Sequence, residues 1–451
     1  MSEWHPDRAA LQKFLADRLT AAETRALQRH LFLCPACEER LIGLLPAAHG
    51  AANGAGSEGG DQTLIRDVLA ELRAGRWSEL LARERSAAPE LWRELAGLAA
   101  AGRHRRVADD PRFQTWGLFE LLLDNALAAA LAEPRQAEEQ LRLAVDLADR
   151  LSPDRYGRGA VAAAQARAWA YLGNALRILS DFRRAEQAFE RAELHLSQSW
   201  LDPLDEALLL ELKGSLRRAQ RRFGEALGLL EDAVALYREI HEPHLQGRAL
   251  MKTGLALQYQ GDFAAAIACF RDSLSLLDGR TEPRLVAASR YNLSNCLFDS
   301  GRTDEAAALI PETRRLMEQV GTPSDLVHLR WLEAKVAAAR GSTAEAEQAF
   351  REAKEAFGAA RAAFDAALVA LELAALYARE GRTADAKPLA EEILPIFRSC
   401  EVPQEALAAL IVFQQAAERE QLTLGLVEEV THFLERVRAN PDLRFRDDAT
   451  A

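Results

Sequence analysis

The chain has 451 residues and a formal net charge of -12, so its surface as a whole disfavours nonspecific binding to nucleic-acid phosphates or an anionic membrane and points to protein partners. Ala, Leu, Glu and Arg dominate and β-branched residues are sparse, which excludes a sheet-rich fold and predicts an all-α chain. No segment reaches about 18 uninterrupted apolar residues, and MSEWHPDRAA lacks a charged-then-apolar signal pattern, so a soluble, cytoplasmic protein is expected.

Residues 1–48 read as a small helical unit. Leu11, Phe14, Leu15 and Leu19 give a helical stripe, Thr20 to Glu23 a capped turn, and a second helix follows. On that second helix His30, Cys34 and Cys37 have the spacing H-x3-C-x2-C, and Pro35 favours a helix break between the thiols. Zinc takes four N or S ligands at tetrahedral corners, and the hairpin returns the chain to His5, the candidate fourth ligand. The alternative is that Cys34 and Cys37 are buried thiols and His30 a surface residue. A unit this short has too little core to fold unaided, so a bound metal would supply much of its folding free energy. A permanently structural zinc is expected in preference to a redox-switched one. Cys269, Cys296 and Cys400 are scattered through helical patterns and form no disulfide framework.

With His5, His30, Cys34 and Cys37 in place, HLFLCPACEERL resembles the signature of the zinc-binding anti-sigma domain of bacterial regulators. The resemblance implies that residues 1–48 clamp a sigma factor of the extracytoplasmic-function group and keep it from polymerase. Many members of that family continue into a membrane helix, whereas this chain continues into helical repeats. The segment 49–62, HGAANGAGSEGGDQ, has nothing to bury and reads as a flexible linker. Residues 63–118 read as a helical N-terminal cap, three helices with Trp77, Leu80, Leu81, Leu91, Trp92 and Leu95 on their apolar faces.

Turns then recur as SDFRRA at 180, RRFGEA at 221, GDFAAA at 261, GRTDEA at 301, GSTAEA at 341 and GRTADA at 381, in steps of 41, 40, 40, 40 and 40. Each turn ends in an alanine, from Ala185 to Ala386, and seven residues before each turn stands Gly173, Gly214, Gly254, Ser294, Ala334 or Ala374. Small residues at these two places let crossing helices approach closely. Phe189, Leu230, Phe270, Ile310 and Phe350 fill the space beside the contact. The segment 168–196, with Trp169, Leu172, Gly173, Ala185, Phe189 and Ala192, resembles the tetratricopeptide repeat, in a variant with lengthened helices. That resemblance implies a right-handed superhelical α-solenoid over 119–404, opened by a degenerate repeat at 119–151. A C-terminal capping pair and tail follow over 405–451.

In such repeats the first helix of each pair lines the open side. Its outward positions include Arg167, Asn174, Arg177, Ser215, Arg218, Arg248, Tyr259, Tyr291, Asn295, Phe298, His328, Trp331 and Lys335. This cationic and aromatic set suits an acidic or extended peptide. The alternative is that the rings pack between repeats and the arginines pair with neighbouring Glu. No P-loop, G-x-G-x-x-G, G-x-S-x-G or H-E-x-x-H motif is present, and His241 and His244 fall in a connection, so catalysis is not expected. The expectation is a protein-binding regulator of the anti-sigma type whose repeats hold a second protein, or else a non-catalytic scaffold in a signalling or assembly complex. Neither reading involves direct contact with nucleic acid or membrane.

Overall fold

The computed structural model describes residues 5–15, 27, 37, 40, 76–130, 132–199, 202–398, 404–418 and 423–439. Among the described residues every regular element is helical and none is a strand. The chain divides into two compact units, Met1–Gln260 and Gly261–Ala451.

The first unit contains α1 Arg8–Leu15, α2 Arg76–Ala96, α3 Ala100–Asp109, α4 Trp116–Ala129, α5 Pro134–Ala148 and α6 Pro153–Tyr156. It continues with α7 Arg158–Ile178, α8 Phe182–Gln198, α9 Pro203–Ala219, α10 Phe223–Glu239 and α11 Pro243–Gln260. The second unit contains α12 Phe263–Leu276, α13 Pro283–Asp299, α14 Thr303–Val320, α15 Pro323–Ala339 and α16 Thr343–Ala359, then α17 Ala363–Arg379, α18 Ala386–Arg398, α19 Gln404–Glu418 and α20 Leu424–Ala439. Within the units, α7 pairs with α8, α9 with α10, α13 with α14, α15 with α16 and α17 with α18.

The sequence punctuates these helices in a regular way. At the six turns Ser180 and Arg221 (both φ 61°) and Gly261, Gly301, Gly341 and Gly381 hold a left-handed backbone. The next amide reaches back over the end of the helix, as in Asp181 N to Leu176 O (2.9 Å), Arg222 N to Arg217 O (2.9 Å) and Arg302 N to Leu297 O (2.8 Å). This closure satisfies carbonyls that the helix end would otherwise orphan. Pro203, Pro283 and Pro323 start α9, α13 and α15, where the missing amide costs nothing, and Asp202 and Thr322 cap two of these starts through their side chains. His241 holds a left-handed turn in the connection, whereas His244, expected there too, stands in the first turn of α11, which Pro243 starts because a proline at that place forfeits no helical amide bond.

Ala185, Ala226, Ala266, Ala306, Ala346 and Ala386 are all fully buried. A Cβ on Gly173 would lie 3.0 Å from the Phe189 ring, and one on Gly214 would lie 2.7 Å from Leu230 Cγ. Gly173 and Gly214 therefore set how closely α7 meets α8 and α9 meets α10. Phe189, Leu230, Phe270 and Phe350 are buried, whereas Ile310 is half-buried.

The segment ahead of the repeats is tied into the same core. Described from Arg76, it runs as α2 through Pro89 and then as α3. Leu95 is buried and Leu80, Leu81, Leu91 and Trp92 pack against the core, while the side chain of Trp77 lies outside the described residues. The buried Glu84 carboxylate accepts from the amides of Trp116 (2.8 Å) and Gly117 (3.3 Å) and from Tyr156 Oη (2.8 Å). Gly117 permits this: a Cβ there would stand 2.3 Å from the α2 backbone at Glu84. Close backbone approach thus lets one carboxylate satisfy the orphan amides that begin α4.

Candidate functional site

At the N-terminus Asp7 caps α1, accepting from the Ala10 amide at 2.7 Å, and Leu11, Leu27 and Cys37 are buried. The fold brings His5 Nδ1 to 3.3 Å from Cys37 Sγ although the residues are 32 apart in sequence, and Arg40 Nη1 lies 3.9 Å from the same sulfur. The N to S edge of a zinc tetrahedron with ordinary bond lengths is about 3.5 Å, so these two donors stand as two ligands of one ion would. His30 and Cys34 lie outside the described residues, and among the described residues no group of three or more metal-ligating side chains is present.

In the first unit the outward positions of α7, α9 and α11 form a charged face. Arg167 pairs with Asp205 (Nη2 to Oδ1, 2.8 Å) beside Tyr171. Arg248 forks onto Glu211 with two bonds of 2.8 Å, and Lys252 Nζ meets the same carboxylate at 2.6 Å. Tyr237 Oη also donates to Glu211 at 2.8 Å. Glu211 is fully buried, and burial alone would raise its pKa; Lys252 and Arg248 outweigh that and bring it to about 2. Ser215 is buried beneath this cluster, its hydroxyl donating to the Glu211 carbonyl at 3.0 Å. Arg177 donates to Asn174 Oδ1 at 2.9 Å, and the Arg218 guanidinium lies 5.9 Å from the centre of the Tyr259 ring. Tyr259 is exposed and stacks on Phe223, ring centres 6.2 Å apart.

In the second unit the corresponding face is arranged around Lys335. Its ammonium lies 5.2 Å from the Phe298 ring and 5.4 Å from the Trp331 ring, and it donates to Asn295 Oδ1 at 3.3 Å. Asn295 in turn donates to Asp299 at 3.1 Å. Trp331 Nε1 donates to Glu372 Oε2 at 2.7 Å, and its ring meets Phe357 edge-on at 5.8 Å. Burial drives the Glu372 carboxyl up to about 7 against the opposing pull of Lys335, and the nearby charges of Glu435 and Asp299 push it the same way as burial. The Glu435 carboxyl is raised too, chiefly by burial. Tyr291 is half-buried against Ala287, Met317 and Leu329, and His328 bonds to the Ser324 carbonyl at 2.8 Å.

The sequence allowed for arginines that pair with neighbouring carboxylates, as Arg248 does with Glu211 and Arg167 with Asp205, without identifying which carboxylates those are. Asp205 and Glu211 sit on α9 with Ser215 and Arg218, whereas Glu372 comes from α17 and Glu435 from α20, which carry none of the residues selected. Glu211, three residues before Gly214, gave a signal in being a carboxylate at a position that faces the packed interior.

Residues 7–37 match the family model described as Putative zinc-finger, and residues 205–278 match that of the tetratricopeptide repeat. No curated protein matches the chain by sequence. Among solved structures, the apo form of RapI is 12% identical with a TM-score of 0.52, over 80% of this chain and 98% of that one. BtubC from P. vanneervenii is 18% identical with a TM-score of 0.43, over 50% of this chain and 92% of that one. Aspartyl phosphate phosphatase F from Bacillus subtilis is 16% identical with a TM-score of 0.48, over 88% of this chain and 99% of that one. The likeness to RapI shows a shared helical-repeat fold and nothing about activity. No helix among the described residues is long and apolar enough to cross a membrane.

Proposed function

We propose that this chain, tetratricopeptide repeats behind a zinc-finger module, is a zinc-dependent regulator of the anti-sigma type. Residues 1–48 hold a sigma factor of the extracytoplasmic-function group, and the repeats hold a second protein without catalysing a reaction on it. The observation that carries this reading is the meeting of His5, just ahead of the matched segment, with Cys37, its last residue. His5, His30, Cys34 and Cys37 would hold zinc, and the bound ion would supply much of the folding free energy of so short a module. The protein's own residues do the rest. Asp7 fixes the start of α1, and Leu11 and Leu27 are buried. The repeats support the second half of the reading because helical solenoids present extended surfaces suited to protein partners.

The test is affinity capture with the intact chain, a chain lacking residues 1–60, and Cys34→Ser/Cys37→Ser, each analysed for bound metal. We expect zinc and a sigma factor on the intact chain and the loss of both from the other two, with other partners retained. Equal capture of a sigma factor by the double serine variant would overturn zinc dependence. A zinc-loaded intact chain that captures no sigma factor would leave a non-catalytic scaffold.

A further inference from the structure

The face of the first unit carries more positive charge than it neutralises. Arg177 and Arg218 occupy one register, each four residues after the glycine of its repeat, on α7 and α9, which pack side by side. Among the described residues neither has a carboxylate partner. Arg177 bonds to the neutral Asn174 amide, and Arg218 Nε is enclosed with no acceptor. The buried carboxylate on α9, Glu211, is already shared by Arg248, Lys252 and Tyr237. Each arginine stands in the last turn of its helix, where the carbonyl dipoles favour a cation, which is how two uncompensated guanidiniums are tolerated. The tolerance is incomplete, since burial and then Arg218 pull the Arg177 pKa down to about 10. Tyr259 offers an exposed ring beside the pair, braced from behind by Phe223.

We propose that Arg177 and Arg218, with Tyr259 as a platform beside them, form an oxyanion site for the side-chain carboxylates of an acidic, extended peptide segment. The proposal rests on the reading that the repeats hold a protein and names the chemistry by which they do so. An enclosed donor without an acceptor is costly in the free protein, and a carboxylate that reaches it removes that cost. Guanidiniums present paired donors that match a carboxylate in a fork. Packed helices stand about 8–10 Å apart. Alternate side chains of an extended strand are about 7 Å apart, so two carboxylates on one segment can reach two arginines on neighbouring helices. A long polyanion such as nucleic acid is disfavoured by the chain's net charge of -12.

The experiment titrates the full-length, zinc-loaded protein into fluorescein-labelled hexaglutamate and follows fluorescence anisotropy, with inorganic phosphate as competitor at matched ionic strength. Saturable binding is expected, weakening with salt, and Arg177→Gln or Arg218→Gln should each weaken it by about tenfold or more, as loss of a charged hydrogen bond does. Arg340→Gln, at an exposed pair with Asp304, should bind as the parent does. Thermal midpoints serve as the second readout: both variants should melt at or above the parent temperature, because the substitutions relieve repulsion. Unchanged affinity in the double variant, or no saturable binding at all, would overturn the proposal. A lowered melting point would assign the pair to folding and overturn it as well. Phosphate displacing the peptide at equal molar concentration would show an ion site without peptide preference and defeat the assigned ligand. Sigma-factor capture runs through residues 1–60, so failure there and failure here are read separately.

Discussion

The two units use the same repeat to opposite electrostatic ends. On the first, Arg248 and Lys252 share the buried carboxylate of Glu211, Arg167 holds Asp205, and Arg177 and Arg218 add two further cations. On the second, Lys335 is the cation beside Asp299, Glu372 and Glu435. The positions correspond: Asn174 and Asn295 each follow the small residue of their repeat by one, and so does Lys335. The backbone program of small residue, left-handed turn and buried alanine fixes where a side chain stands. It leaves the sign of its charge open, and that freedom lets one architecture present two different faces.

Substituting the central carboxylate of each face separates them most sharply. Glu211→Gln strands Arg248 and Lys252 without a counter-charge in a buried site, and urea unfolding followed by circular dichroism should show a loss of about 3–5 kcal/mol. Next is Gly214→Ala, whose new Cβ would stand 2.7 Å from Leu230 Cγ; a loss of about 1–3 kcal/mol is expected by the same measurement. In the second unit this register already holds alanine, at Ala334 and Ala374, both fully buried, so the pair of units tells whether close approach is a requirement of the first alone.

Smaller effects distinguish the two carboxylates by their pH dependence. Glu211 titrates at about 2 when folded, below its ordinary 4.5, so the unfolded chain binds the extra proton between these values. Its contribution is present above pH 4.5 and is lost as pH falls towards 2. Glu372 titrates at about 7 when folded, above 4.5, so the folded chain holds the proton and stability falls as pH rises from 4.5 to 7. Glu372→Gln should cost no more than about 0.5 kcal/mol at pH 5 and should flatten that decline in melting temperature. Asp304→Asn, which removes an exposed partner of Arg340, should change stability by less than about 0.5 kcal/mol.

Much of the fold was legible because the repeat writes its packing in small residues. Ala185 and its five counterparts are buried as their spacing required, and Gly173 and Gly214 touch the bulky residues that the pattern placed beside them. The faces were harder to read. Arg167 meets Asp205 and Arg248 meets Glu211 across neighbouring first helices, at separations of 38 and 37 residues, close to one period but not equal to it. Which charges meet depends on the axial offset between helices, which periodicity does not encode. Ser215 shares the register of Asn174 yet is buried, because a short side chain does not reach past its long neighbours. At the N-terminus the residue spacing pointed to His5, and the fold brings it to Cys37; His30 and Cys34 remain outside the described residues.

The left-handed turn has a consequence for how such a chain tolerates change in length. From Arg221 to Gly381 the turns repeat at 40 residues, and those at Arg221, Gly301, Gly341 and Gly381 close their helices locally with the amide that follows. Insertion or removal of one whole period between turns preserves phase, whereas a single added residue inside a helix rotates everything after it by about 100° and turns a lined face into a packed one. Such a fold tolerates gain or loss in units of its own repeat, which makes the number of repeats, rather than their shape, the quantity most open to change by duplication.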